Sequence, residues 1–174
     1  MKDSGIDWLG DIPAHWKTHR VKLVAKLESG HTPDKKIDSY WEGGTIPWVS
    51  LNDTASLREN DYISKTAFMT NASGISNSSA RVLPARSVVF TRDATIGESA
   101  IITRPMAVSQ HIIAWTCNES LISPEYLLLL IYGMKGELQR LTNGATIGTI
   151  GLSDVKELSI CVPGLDEQDR KSVV

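Results

Sequence analysis

The sequence predicts a mixed α+β domain, a twisted and largely antiparallel sheet with a few packed helices. Three observations predict it. Between residues 82 and 117 lie three short apolar runs, Ser87-Val88-Val89-Phe90, Ala100-Ile101-Ile102 and His111-Ile112-Ile113-Ala114-Trp115. Each is bounded by Pro, Gly, Arg or Asp, the pattern of strands joined by turns. Residues 123–132 carry the start signals and apolar body of a buried helix. At 174 residues, 41% hydrophobic and 22% charged, the chain is long and apolar enough for one domain with its own core.

Taken in order, Trp8 and Trp16 belong to an aromatic lead-in that should pack on the domain, since two tryptophans near a chain end would otherwise be exposed. Residues 21–27 are apolar with a period that fits helix and strand alike. Gly30-His31-Thr32-Pro33 opens a loop holding Lys35 and Lys36. Ile46-Pro47-Trp48-Val49 reads as a strand that ends at Asn52-Asp53-Thr54. Residues 64–69 are expected to start a short helix, and 71–79 to form a polar loop. The clearest helix has Ser123 as N-cap, Pro124 at its first position, Glu125 in its first turn and an apolar body over 126–132. Such a helix should lie buried across the sheet. Residues 134–141 continue as a more amphipathic segment, 153–158 as a short capped helix, and Ser159-Ile160-Cys161-Val162 as a last strand. Asp166-Glu167-Gln168 starts a new helix, short within this chain and so expected to fray. The expected division is 1–165 for the domain and 166–174 for that truncated helix.

Several kinds of chemistry find no support. The two cysteines, Cys117 and Cys161, end apolar runs, form no CxxC pair and read as buried free thiols. The histidines at 15, 19, 31 and 111 lack metal-ligand spacing, so no metal site is expected. The glycines at 144, 148 and 151 do not have dinucleotide-binding spacing, and no P-loop lysine follows. Pro33-Asp34 and Asp154-Val155-Lys156 stand too far apart for the compact site of a metal-dependent nuclease. No nucleophile elbow is present. No catalytic residue is assigned. There is no apolar run of membrane-spanning length and no apolar leader, so the expected location is the cytoplasm.

The net charge of −2 argues against a general nucleic-acid coat protein. The charge is segregated, however. Residues 62–92, 99–118 and 138–153 contain no Asp or Glu, yet hold Lys65, Arg81, Arg86, Arg92, Arg104 and Arg140. Segregation of this kind can make a positive face on a neutral protein. The turns after the central strands display polar groups that can read a ligand's edges: Arg92 and Thr95 in one, Ser109, Gln110 and His111 in another. Arg and Gln are suited to guanine and adenine in the major groove, with Asp93 expected to hold the Arg92 guanidinium. Lys35 and Lys36 suit phosphate. Thr142-Asn143-Gly144-Ala145-Thr146-Ile147-Gly148 echoes Thr91-Arg92-Asp93-Ala94-Thr95-Ile96-Gly97, which suggests two similar turns. The candidate DNA-contacting set is Thr32, Lys35, Lys36, Asn52, Asn77, Ser79, Arg81, Arg92, Thr95, Ser109, Gln110, His111, Asn143 and Thr146.

An ordered set of short motifs carries a resemblance over nearly the whole chain. It comprises residues 5–16 (GIDWLGDIPAHW), Ser29-Gly30-His31-Thr32-Pro33 with Tyr40-Trp41 and Ile46-Pro47-Trp48, Leu83-Pro84 with Ser87-Val88-Val89-Phe90, Ala94-Thr95-Ile96-Gly97, and Leu152-Ser153 with residues 162–168 (VPGLDEQ). The set resembles the specificity (S) subunit of type I restriction–modification enzymes, in particular its first target recognition domain, with the conserved spacer helix beginning at 166. The family usually has a Gln soon after the Gly-Ala-Thr turn. Ile147 stands there, so no base-reading role is carried onto it. The resemblance implies a non-catalytic reader of one half of a bipartite duplex DNA target. It also implies two modification subunits that carry S-adenosylmethionine and methylate adenine, with restriction subunits joining the full complex; this chain itself would need no cofactor. The alternative is the recognition lobe of a single-chain methyltransferase or a fused restriction–methylation enzyme. Salt-dependent DNA binding separates both from a protein-interaction domain.

Overall fold

The computed structural model describes residues 1–142 and 148–171. In chain order the elements are β1 Lys2–Asp3, β2 Asp11–Ile12, β3 Lys17–Arg20, β4 Ala25–Ser29, β5 Ile46–Val49, α1 Thr54–Glu59, β6 Tyr62–Ile63, β7 Phe68–Thr70, α2 Ala72–Ser76, β8 Val82–Leu83, β9 Val88–Thr91, β10 Ser99–Ile102, β11 Met106–Val108, β12 Ile112–Cys117, α3 Pro124–Gly133, α4 Lys135–Arg140, α5 Leu152–Glu157, β13 Ser159–Val162 and α6 Leu165–Lys171. The fold is mixed α+β, as expected.

Two sheets dominate. A five-stranded sheet runs β4-β12-β9-β10-β6 and a four-stranded sheet runs β7-β5-β11-β8. Pairing is antiparallel except for β10 with β6 and β11 with β5. The five-stranded sheet is buried on both faces, and its side chains alternate between two cores. Val88, Phe90, Ile101, Ile113 and Trp115 face a core shared with α3, α4, α5 and β13. Val89, Ala100, Ile102, Ile112 and Ala114 face a second core with Val49, Leu83, Met106 and Val108 of the other sheet. Alternation of successive side chains makes both cores from the same strands. This explains why these runs are apolar throughout rather than every second residue.

The helix at 124 forms as read. Tyr126 N donates to Ser123 Oγ at 3.2 Å, and Tyr126, Leu127, Leu128, Leu130 and Ile131 are buried. The ambiguous segment 21–27 becomes a short 3-10 turn, Val21–Leu23, followed by β4. Cys161 is buried. Cys117 is partly buried, and desolvation, then Glu119 and Glu125, push its thiol up to about 12, so it stays protonated.

Three expectations change. Residues 64–69 do not begin a helix. They run extended into β7, which pairs antiparallel with β5, and Asp53 Oδ1 accepts from Ala67 N at 2.7 Å. The segment has no helical apolar stripe to bury, so pairing with β5 prevails. The polar stretch 71–79 contains α2, capped by Asn71, whose Oδ1 accepts from Gly74 N at 3.0 Å. The start of α6 is docked rather than frayed. Gln168 is fully buried, accepts from Ser123 N at 2.9 Å, and donates to Leu121 O at 2.8 Å and Pro163 O at 3.0 Å. That side chain closes backbone groups at the start of α3 that would otherwise be orphaned. Among the described residues no helix is long and apolar enough to cross a membrane.

Candidate nucleic-acid interface

Antiparallel pairing brings several strand ends to one edge of the molecule. β12 starts where β4 and β9 end, as Ile113 faces Ser29 and Ile112 faces Thr91. β11 and β5 are parallel and end together, with Val108 opposite Val49, and Ser109 N donates to Val49 O at 2.8 Å. β8 is antiparallel to β11, so the chain before β8 arrives at the same edge. The loops at this rim hold Thr32, Asn52, Ser79, Arg81, Arg92, Thr95, Gln110 and His111.

The rim is tied down from below. His31 N donates to Val108 O at 3.1 Å, and Trp48 Nε1 donates to His31 O at 3.2 Å. Only glycine fits at position 30, because a Cβ there would lie 1.8 Å from Val108 O. The turn after β9 is equally fixed. Thr91 Oγ1 donates to Thr95 O and accepts from Glu98 N, while Ala94 and Gly97 take positive φ, 59° and 83°. Ala94 N donates to Gly148 O at 3.0 Å, so the first of the two echoing turns touches the end of the second.

Three polar side chains project from this frame in defined poses. Arg92 Nε donates to Ile150 O at 3.1 Å, which leaves the rest of its fork available. Gln110 Oε1 accepts from Thr32 Oγ1 at 2.5 Å, which keeps the amide nitrogen and its two donors available. His111 Nδ1 lies 2.5 Å from Asp93 Oδ2. The expected Asp93–Arg92 support is therefore corrected: Asp93 holds His111, and a backbone carbonyl holds Arg92. Among the described residues Arg92 makes no ion pair with an acid.

Other candidates divide. Ser109 is fully buried and its hydroxyl accepts from His111 N at 3.3 Å, so it builds the corner and offers no ligand contact. Arg81 lies 3.4 Å from Glu28, which Lys26 also pairs at 2.6 Å. Asn77 donates to Ser73 O at 2.9 Å at the end of α2, and Asn52 and Ser79 are exposed. Lys35 sits 5.6 Å from the Trp48 ring centre, a cation–π contact, at a 490 Å³ cleft lined also by Trp41, Phe68 and Met69. Lys36 is exposed. Asn143, Thr146 and Ile147 lie outside the described residues. No cluster able to hold a metal is present among the described residues.

The acid-free stretches make a smaller positive surface than their sequence suggests. Arg86 pairs with Glu119 and Glu125 at 2.9 Å each, and Arg140 with Glu137 at 2.6 Å. Glu119 and Glu125, distant in sequence, fold back onto Arg86, while Glu137 pairs Arg140 from one helical turn before it. The rim pairs Thr32–Gln110 and Asp93–His111 were not visible in the sequence, since their members stand 78 and 18 residues apart.

Comparison with known proteins is consistent along the chain. Residues 13–172 match the family described as type I restriction modification DNA specificity domain. The chain is 30% identical over 168 residues to the type I restriction enzyme MjaIX specificity subunit of Methanocaldococcus jannaschii, covering 95% of this chain and 38% of that subunit. It is 27% identical over 164 residues to the EcoR124I/EcoR124II specificity subunit of Escherichia coli, covering 89% of this chain and 38% of that subunit. The chain thus spans well under half the length of these relatives. In fold it resembles the HsdS subunit from Thermoanaerobacter tengcongensis, with a TM-score of 0.64 at 17% identity over 94% of this chain and 37% of that one. It also resembles a chain from a structure addressing complex assembly and conformational transition of the type I R-M system, with a TM-score of 0.72 at 18% identity over 94% of this chain and 38% of that one.

Proposed function

This chain belongs to the type I restriction modification DNA specificity domain family, and from that premise we propose that it reads one half of a bipartite duplex target with the rim that carries Arg92, Gln110 and His111. It is a DNA specificity domain of a specificity subunit and not the catalyst. The observation that carries the placement is the convergence of these three side chains on one edge, each held by one bond and left with spare hydrogen-bonding capacity. Directional groups on a rigid frame are what base-edge readout requires. Lys35 and Lys36, in the loop beyond Thr32, supply backbone attraction without sequence information.

In the complete protein a second recognition domain reads the other half-site, and the helix that begins as α6 continues as the spacer between them. Two modification subunits bound there carry S-adenosylmethionine and methylate adenine, and restriction subunits complete the enzyme. Its work on host and incoming DNA places it in the cytoplasm. Mapping adenine methylation across the host genome, with and without the gene, tests the reading. Loss of methylation at one split motif on deletion is expected, and an unchanged map would overturn it.

A further inference from the structure

We infer that His111 determines specificity at one base position, and that Asp93 fixes its ring so that Nε2 is offered as a hydrogen-bond acceptor. This rests on the rim being the DNA-facing edge.

The geometry is local and specific. Asp93 Oδ2 lies 2.5 Å from His111 Nδ1. An ionised carboxylate only accepts, so on a singly protonated ring the proton sits on Nδ1 and Nε2 keeps its lone pair. Both residues are clamped through their backbones. Arg92 N donates to His111 O at 3.0 Å, His111 N donates to Ser109 Oγ, and Asp93 bridges to Thr149. The Asp93 side chain is 15% exposed and that of His111 42%, so the carboxylate is the inner, supporting member and the ring the outer one. No described residue bonds Nε2. Among the described residues the charged group in contact with the ring is Asp93; Arg92, whose backbone N bonds His111 O, has its Nε on the Ile150 carbonyl.

An acceptor facing the major groove is satisfied by the exocyclic amino group of adenine or cytosine. Guanine O6 and N7 and thymine O4 would oppose it lone pair to lone pair. His111 therefore favours an amino-bearing base at its position by about tenfold over guanine or thymine. Asp93 is a positioning residue that acts through the ring.

The test uses the full-length specificity protein assembled with its modification subunits, selecting from a randomised duplex pool at mildly alkaline pH. His111→Phe keeps the ring's shape and removes both nitrogens, and it should abolish the adenine-or-cytosine preference at one position. Gln110→Ala should alter a different position. If Gln110→Ala alters the preference and His111→Phe does not, the inference falls while the rim stands. If neither alters it, the rim reading falls too. A wild-type requirement for guanine at the His111 position would overturn the acceptor assignment. The tautomer is read separately by imidazole nitrogen NMR on 15N-histidine-labelled protein, with His111→Phe assigning the signal. Wild type should show the Nδ1–H form and Asp93→Asn a shifted mixture with a weakened base preference. An unchanged tautomer in Asp93→Asn would remove Asp93 from the account.

Discussion

Two arginines flank strand β9 and meet opposite fates. Arg86 precedes it and spends its guanidinium on Glu119 and Glu125, with bonds of 2.9–3.2 Å from Nε, Nη1 and Nη2. Arg92 follows it, anchors only Nε on Ile150 O, and keeps the remainder free of acids among the described residues. The ends of the sheet differ in the same way. At the Arg86 end, Tyr62 donates to Glu125 and Gln168 closes the backbone at 121 and 123, so polar groups are consumed internally. At the Arg92 end each group is held by one bond and left with capacity to spare. A closed network adds stability; an open one leaves specificity to be completed by a ligand.

This contrast can be broken or sharpened by substitution. The largest effect should come from Gln168→Ala. It removes a fully buried side chain that satisfies Ser123 N–H and the Leu121 and Pro163 carbonyls, and it should cost about 2–4 kcal/mol of unfolding free energy, read from denaturant curves, while leaving the ranking of DNA targets intact. Arg92→Ala should do the reverse, removing about 1–3 kcal/mol of discrimination at one base position with little change in unfolding. Arg86→Ala should cost about 1 kcal/mol of stability, a modest value because the arginine is 45% exposed, and should not alter target ranking.

Acid titration sharpens the contrast further. Burial opposes ionisation of Glu125 and Glu98. Hydrogen bonds from Arg86 to the first, and from Lys135 and Arg58 to the second, more than offset it, so both carboxyls titrate below their ordinary range. A depressed carboxyl contributes stability above its unfolded pKa and loses it as pH falls through the folded one. The stability gap between wild type and Arg86→Ala should therefore close as pH falls below the ordinary glutamate range. Denaturant curves across that range check this; a gap that persists in acid would show that the Arg86 network acts by packing rather than charge. The smallest effect belongs to Lys35→Ala with Lys36→Ala. It should weaken all sequences alike and reduce the log–log salt slope by about one to two units.

Much of the fold was legible because it rests on local signals. Ser123-Pro124-Glu125 announced α3, and the runs ending at Phe90, Ile102 and Trp115 announced three strands of the central sheet. Met106–Val108 was missed because a three-residue apolar run after Pro105 is too short to carry a readable period. Residues 64–69 were misread because their conformation is set by a partner strand, not by their own propensity. At the rim, Arg92, Gln110 and His111 were legible as turn residues of suitable chemistry. Their supports were not, since Thr32 and Asp93 come from distant turns and only the register of β4, β9 and β12 brings them in. Burial of Ser109 was hidden for the same reason: a serine in a turn reads as exposed until the corner between two sheets closes over it.

The most direct test of the central claim compares the two arginines in one experiment. The full-length protein in its assembly, with Arg92→Ala or Arg86→Ala, would be challenged with the methylation-defined target and its single-base variants in competition. Arg92→Ala should flatten the ranking at one position, while Arg86→Ala should retain the wild-type ranking. An Arg92→Ala protein with the wild-type ranking at every position would contradict it and place the reading surface elsewhere.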